Sequence, residues 1–342
     1  MQKEDQPDSL SRKLVVFDDD PTGIQTVHDC KVITNWDEGV LEEALSDQQS
    51  FFYILTNIRA YPKERARQIL VDSAQKVRRA AGRLGIEVDV LARSDSTLRS
   101  HFPLEVEVFA DVFYPTKPVD AILVAPAFFE SGRITVDDIH YVLEGNQRVQ
   151  AEETEFALDP DFAYSTAHLP DYILEKYRAF GKDSRFDPSG REDGIRSISL
   201  ELIRNQGVEA VAQLLRGVSD GRYVVVNAET YADLDVVTSA VRATIGEGRR
   251  FLFHTAASFV RSMMQQKEKM IDFSSYSGGP GVVIVGSYVA RTARQLKQLL
   301  ALTTVQGVPA SVEEILSRPD QLEERTVAHM HSALKAGKSA VL

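Results

Sequence analysis

Short runs of apolar, mostly β-branched residues recur at 14–17, 51–56, 87–92, 121–125, 223–227, 251–254 and 282–285, and longer segments with helical spacing separate them. Strands that read as near-continuous apolar runs are covered on both faces, and their alternation with amphipathic helices is the mark of parallel strands joined by crossovers. The pattern predicts an open, doubly wound α/β fold. Its clearest helix is 62–84: Pro62 suits the first turn, Leu70, Ala74, Val77, Ala81 and Leu84 return at helical spacing, and Gly85 can end it. Between 144 and 196 the pattern breaks into polar sequence with Pro, Gly and Asp, where only 169–177 has helical spacing. A segment of this kind is expected to be a binding loop or lid, or a plain surface insertion. The Ser- and Gly-rich stretch 274–281 reads as a flexible connector. It separates a first domain at 12–273 from a second at 282–342.

Two domains also suit the 342 residues, since single cores stop growing at roughly 250–300. A composition of 43% hydrophobic and 26% charged residues belongs to a soluble globular protein. No stretch approaches the ~20 apolar residues that cross a bilayer, and residues 1–12 are too polar for a signal peptide, so a cytoplasmic protein is expected. The formal charge of −11 argues against nucleic acid and anionic membrane as partners; an anionic ligand must be met by a local cluster. Cys30 is the only cysteine, which excludes an intrachain disulfide and a cysteine-based metal site, and it reads as a small buried apolar residue. The histidines lack zinc-ligand spacing.

In open parallel sheets ligands bind beyond the carboxyl ends of the strands, so the residues after each predicted strand carry the candidate chemistry. The first strand runs into Asp18, Asp19, Asp20, Pro21, Thr22 and Gly23. Crowded carboxylates raise one another's pKa, which suits a base, a metal or a cationic ligand; an acidic turn capping the next helix is the plainer reading. The strand at 87–92 runs into Arg93, Ser94, Asp95, Ser96, Thr97, Leu98 and Arg99. Arginine forks can clamp a carboxylate while Asp95, Ser96 and Thr97 meet vicinal hydroxyls, as in a cradle for an acid sugar. A helix cap at Ser96 or Thr97 competes with that view. After 121–125 come Pro126, Ala127, Phe128 and Phe129, then Ser131, Gly132 and Arg133, and later Asp137, Asp138 and His140. His140 can be an acid–base group, a substrate donor or a structural residue. Gly286 and Ser287 follow the run at 282–285, and Thr292 can open a helix over 293–300, which would offer backbone amides to a phosphate. Gly337, Lys338 and Ser339 look like the end of a phosphate-binding loop, but Ser332 stands where its earlier glycine belongs, so we set them aside.

Taken in order, these segments resemble the four-carbon acid sugar kinases. The family's Asp-Asp-x-Thr-Gly stands here as Asp19 to Gly23, and its basic-x-Asp-Ser-Thr-Leu-Arg as Arg93 to Arg99, with His101 to Glu105 as His-Phe-Pro-Leu-Glu. Pro126 to Phe128, Gly132 with Arg133, and His140 with Tyr141 fit a further pattern, and Thr255 to Val260 and Val285 to Tyr288, with Gln295, fit later ones. The resemblance spans most of the chain. It implies a Rossmann-like, parallel-sheet N-terminal domain that binds the acid sugar, then an α/β nucleotide-binding domain, with ATP-dependent phosphoryl transfer between them. Two departures accompany it. Ser100 occupies a place usually held by glycine, and the glycine-rich loops expected to hold ATP lie in a part of the family beyond the position of Leu342, so the nucleotide-binding domain is expected to be incomplete here.

The implied reaction moves the ATP γ-phosphoryl group to a hydroxyl of a threonate- or erythronate-like acid, with Mg2+ accompanying the nucleotide and no separate metal site. Asp19 or Asp20 would orient or deprotonate the attacking hydroxyl. Arg93 and Arg99 would hold the carboxylate, and Asp95, Ser96 and Thr97 the diol, with Arg133 and His140 also on the substrate and Gly286 and Ser287 on phosphates. Two rivals use the same residues. Asp18-x-Asp20-x-Thr22 after an apolar strand, with Thr56 ending the next, fits a haloacid-dehalogenase-like phosphatase, although Asp137 with Asp138, or Asp233 with Asp235, fit its late acidic pair poorly. A non-catalytic acid-sugar-binding protein is the other. The expected partner is a small-molecule acid sugar, and a homodimer is left open.

Overall fold

The computed structural model describes residues 12–117, 119–181, 184–191, 194–270, 272, 274, 278–287 and 289–342. Two compact units divide the chain, the first ending at Lys269 and the second running Met270–Leu342.

The first unit opens with β1 (Arg12–Asp18), β2 (Lys31–Ile33), α1 (Glu38–Ser46), β3 (Phe51–Leu55), α2 (Lys63–Leu84), β4 (Glu87–Arg93), α3 (Leu104–Phe113) and β5 (Ala121–Ala125). An excursion holds β6 (Arg133–Val136), β7 (Ile139–Glu144), β8 (Gln147–Gln150) and α4 (Leu169–Phe180). The unit closes with β9 (Ile195–Ile198), α5 (Gly207–Arg216), β10 (Arg222–Val226), α6 (Tyr231–Gly246), β11 (Phe251–Thr255) and α7 (Ala257–Met263).

Eight of these strands form one sheet in the order β2-β3-β1-β4-β11-β5-β10-β9, and its pairings are parallel. Successive side chains along a strand face opposite sides. Val15, Phe17, Phe52, Ile54, Val90 and Ile122 enter one core, which α1, α2, α3 and α4 cover. Leu14, Val16, Phe51, Tyr53, Leu91 and Leu123 enter the other, under α5, α6 and α7. Burial on both faces is why these strands read as unbroken apolar runs, and the α/β parallel-sheet fold is the one expected. β2 and β3 lie on one side of β1 and β4 on the other. The chain therefore reverses direction at β1 and β4, where open α/β sheets leave a crevice beyond the strand tips.

The pattern missed several pieces for identifiable reasons. β2 has three residues, and β9 is a half-exposed edge strand carrying Arg196 and Ser197. β6, β7 and β8 form a separate antiparallel sheet; β6 and β7 run up to the irregular stretch expected at 144–196, and β8 lies inside it. Asp137 and Asp138 make the β6–β7 turn at φ 51° and 63°. That is the geometry of a two-residue hairpin loop, here built without the glycine that usually signals it.

The second unit contains β12 (Val282–Val283), α8 (Ala290–Leu300), β13 (Val305–Gly307), α9 (Val312–Ser317), α10 (Pro319–Lys335) and β14 (Ser339–Val341). Its small sheet has the parallel order β12-β14-β13. The run at 282–285 yields a strand of two residues, and α8 starts at Ala290, so Thr292 lies within its first turn and does not open it. Tyr288 and residues 275–277 of the connector lie outside the described residues. Among the described residues no helix is long and apolar enough to cross a membrane.

Candidate functional site

Parallel strands bring their carboxyl ends to one edge, and there Asp18 of β1 is in register with Arg93 of β4. Arg93 Nη1 lies 3.2 Å from Asp18, 3.4 Å from Asp19 and 3.3 Å from Asp20. At 4% exposed, Arg93 is the buried counter-ion of the trio. Arg93, expected as a carboxylate clamp, here has its Nη1 surrounded by the protein's own acids. The next helix, α1, is preceded by Asp37, so the trio is not its cap.

A second guanidinium was not foreseen. Arg59, in the turn after β3, pairs with Asp20 and lies 3.1 Å from Asp95 and 3.9 Å from Asp19. Its backbone N–H also donates to the Asp19 carbonyl at 3.2 Å. A lone arginine in a short turn carries no motif; the only signal was its place behind a predicted strand.

Thr22 and Gly23 have definable parts in this arrangement. The Thr22 N–H donates to Asp20 Oδ1 at 2.6 Å, and its hydroxyl donates to the same oxygen. A Cβ at Gly23 would fall 1.7 Å from Asp18 Oδ2, so only glycine lets the turn close over that carboxylate. Gly23→Ala is expected to cost about 1–3 kcal/mol, the range for overpacking, read as a lower denaturant midpoint.

Burial pushes the Asp18 carboxyl up to about 7 and the Asp19 carboxyl up to about 6, with Arg93 and Arg59 opposing the rise. Burial would raise Asp95 too, yet Arg59, Arg99 and the Thr97 hydroxyl hold it below the usual carboxylate range. The site thus sets Asp18, Asp19, Asp20 and Asp95 against Arg59, Arg93 and Arg99, and Arg133 shares the ring of Phe156 with Arg99. Asp18, raised to about 7, carries less than a full negative charge near neutrality, which weakens the repulsion of an anionic guest; Arg99 is also near Asp159, at 3.8 Å.

Glu105, in the first turn of α3, is 2% exposed and neither carboxyl oxygen meets a hydrogen-bond partner, so burial pushes it up to about 8. A carboxyl raised in the folded state contributes stability that is present below its unfolded pKa of about 4.3 and lost as pH rises through the folded value. Glu105→Met is therefore expected to stabilise the protein by about 1–3 kcal/mol at pH 9 and hardly at pH 4, measured by urea denaturation at both.

The Ser94–Ser100 loop is held by buried groups from separate elements. The Ser94 N–H donates to the Thr255 carbonyl at 2.7 Å. His140 Nε2 lies 2.7 Å from the Ser96 carbonyl and its Nδ1 3.0 Å from Thr135 Oγ1. A carbonyl only accepts, so His140 carries its proton on Nε2 and takes the Thr135 hydroxyl at Nδ1. It is a neutral imidazole, which burial pushes down to about 4. Completely buried, His140 cannot donate directly to a substrate as expected; it shapes the site through Ser96. Leu98 holds φ 66°, a strained value for its side chain, and its carbonyl accepts the Tyr172 hydroxyl at 2.9 Å. Ser100, the departure from glycine, accepts the Phe102 N–H and lies 3.3 Å from His254 Nε2. α3 begins only at Leu104, so Ser96 and Thr97 are not helix caps. The Thr97 hydroxyl donates to Asp95 instead, as does Arg99 Nε at 2.8 Å.

The phosphatase reading finds its residues otherwise engaged. The Thr56 hydroxyl donates to the Asp18 carbonyl at 2.6 Å, tying β3 to β1. Asp138 receives Asn227 Nδ2 at 2.7 Å and the Ser197 hydroxyl, while Asp233 caps α6 and pairs with Arg204. Oxygens of Asp18, Asp19 and Asp20 lie within 4.8 Å of one another, near enough to hold a hard cation, but Arg93 already supplies positive charge there. Beside Arg59 opens a cleft of about 600 Å³, lined also by Lys63, His101, Phe162, Lys176 and Phe180, within the size range of small-molecule sites. In the second unit, exposed Gly286 and Ser287 precede α8, whose first turn has no side-chain cap.

The family described as a sugar-binding N-terminal domain matches residues 14–263. The chain belongs to this family, the N-terminal part of the four-carbon acid sugar kinases. Its function is accordingly sugar-related. Among solved structures, a Salmonella typhimurium protein is similar at TM-score 0.62 and 16% identity, over 96% of this chain and 74% of its own. A Haemophilus influenzae protein assigned to a domain of unknown function has TM-score 0.58, 16% identity and the same coverage. That same domain from Bordetella bronchiseptica, a domain-swapped dimer with bound citrate, has TM-score 0.54 and 17% identity, over 97% of this chain and 73% of its own. At such identities the likeness concerns the fold. No curated protein matches the sequence.

Proposed function

We propose that this sugar-binding chain belongs to an ATP-dependent kinase that phosphorylates a hydroxyl of a four-carbon acid sugar of the threonate or erythronate type. The observation that carries the proposal is the convergence of Arg59, Arg93 and Arg99 with Asp18, Asp19, Asp20 and Asp95 at the switch point. An acid sugar needs cations for its carboxylate and acceptors for its hydroxyls, and the site offers both. The citrate on the Bordetella bronchiseptica domain is in keeping with an anionic guest.

In this reading Arg99 and Arg133, outside the aspartate trio, hold the carboxylate. Asp95 holds Arg99 and the buried Thr97 in place, and Ser96 lies on the diol side. Asp20 has the most exposed side chain of the trio, 13% against 3% for Asp18 and Asp19, and takes the proton of the attacking hydroxyl. Asp19, whose Oδ2 meets no hydrogen-bond partner, supports it. ATP, when bound, supplies the phosphoryl group together with Mg2+ on its phosphates. Gly286 and Ser287 lie just ahead of the N-cap of α8, whose first turn has no side-chain cap and suits phosphate oxygens.

A coupled ATP-consumption assay against threonate, erythronate and their oxo forms tests the proposal, with turnover expected on at least one. Silence on all of them from a protein that carries the family's glycine-rich ATP loops would sink the kinase reading. Calorimetry with the same acids then separates a non-catalytic acid-sugar-binding protein from one with no such ligand. Analytical ultracentrifugation tests a homodimer, the assembly suggested by the domain-swapped neighbour. A cytoplasmic setting follows from the need for ATP.

A further inference from the structure

Arg99 and Arg133 come from different parts of the first unit, the loop after β4 and the start of β6, yet one ring lies under both. The Arg99 and Arg133 guanidinium carbons are 4.9 Å and 5.8 Å from the ring centroid of Phe156. Phe156 sits in the short turn Glu155–Leu158, within the excursion. The turn is anchored on both sides of the ring, since Thr154 and Ala157 are buried. The Thr154 hydroxyl donates to the Ala151 carbonyl at 2.6 Å, and the Tyr164 hydroxyl reaches the same oxygen at 3.1 Å. Just past the turn, Asp159 lies 3.8 Å from Arg99 Nη1 and accepts the N–H groups of Asp161 and Phe162.

Two guanidinia gathered at one place repel each other. Asp95 and Asp159 offset part of the charge on Arg99, and the negative face of the aromatic ring adds attraction for both guanidinia without a further net negative charge. We propose that Phe156 is a positioning residue that sets Arg99 and Arg133 as a pair to receive the carboxylate of the acid sugar. This role rests on the acid-sugar reading above.

Titration calorimetry on the full chain with threonate, erythronate and citrate tests it. Phe156→Leu keeps apolar bulk without the ring face and is expected to raise Kd about ten-fold, whereas Phe156→Trp keeps wild-type affinity. In the kinase assay Phe156→Leu should raise KM and leave kcat unchanged. Combined with Arg99→Lys or Arg133→Lys, its effect should be smaller than the product of the single effects. Phe156 is half-buried, and melting curves check that each variant is folded. Wild-type affinity in Phe156→Leu, equal losses in Leu and Trp, or full independence from both arginines would overturn the role while leaving the acid-sugar reading intact. A wild-type chain that binds none of these acids would overturn the acid-sugar reading, and this role with it.

Discussion

Arg93→Met is expected to lower the stability of the first unit by about 3–5 kcal/mol at pH 8, the cost of leaving a buried ionic cluster without its counter-ion. Its Nη1 reaches all three aspartates, at 3.2–3.4 Å, and all four side chains are largely buried. Arg59 cannot replace it, because it pairs with Asp20 but stays 3.9 Å from Asp19. Without Arg93 the Asp18 and Asp19 carboxyls, already raised to about 7 and about 6, should rise further. Stability tied to such carboxyls is fully present below the unfolded pKa of about 3.9 and lost as pH rises through the folded one. The variant should therefore recover much of its deficit at pH 5, where these groups are protonated. Urea midpoints at pH 5 and pH 8 measure this, and equal deficits at both would contradict the buried-cluster account. Arg93→Lys should fall between, since a single ammonium cannot reproduce the planar fork.

Asp20→Asn is expected to reduce kcat by about 10²–10⁴-fold, the usual contribution of a positioned general base, with little change in melting temperature. Asparagine keeps an acceptor for the Thr22 N–H but cannot take a proton. Asp18→Asn should cost less activity, because the Asp18 carboxylate lies against Gly23 and Arg93 with 3% of its side chain exposed. The coupled assay on both variants decides between them. A larger loss for Asp18→Asn would return the phosphatase chemistry to consideration.

Local sequence carried much of this molecule. The strands at the sheet centre are unbroken apolar runs because helices bury both faces, so β1, β3, β4, β5, β10 and β11 were legible, as was α2 up to Gly85. Edge strands β2 and β9 were not, being short or half-exposed, and the β6–β7 hairpin turns on two aspartates without glycine. At the site, the trio and the Arg93–Arg99 segment were legible because motifs at strand ends need only the local rule that such ends bear ligands.

What the chain by itself determined is thus the parallel α/β architecture and the residue types at each strand tip, since both follow from short-range periodicity and chemistry. Only tertiary structure decided which tips meet. Strand order sets β3 beside β1 and β11 beside β4, which brings Arg59 onto Asp20 and Thr255 onto Ser94, and the excursion brings Phe156 under two arginines. It also decided that Arg93 and His140 support the site from beneath, because burial and pairing depend on neighbours distant in sequence, which no local pattern encodes.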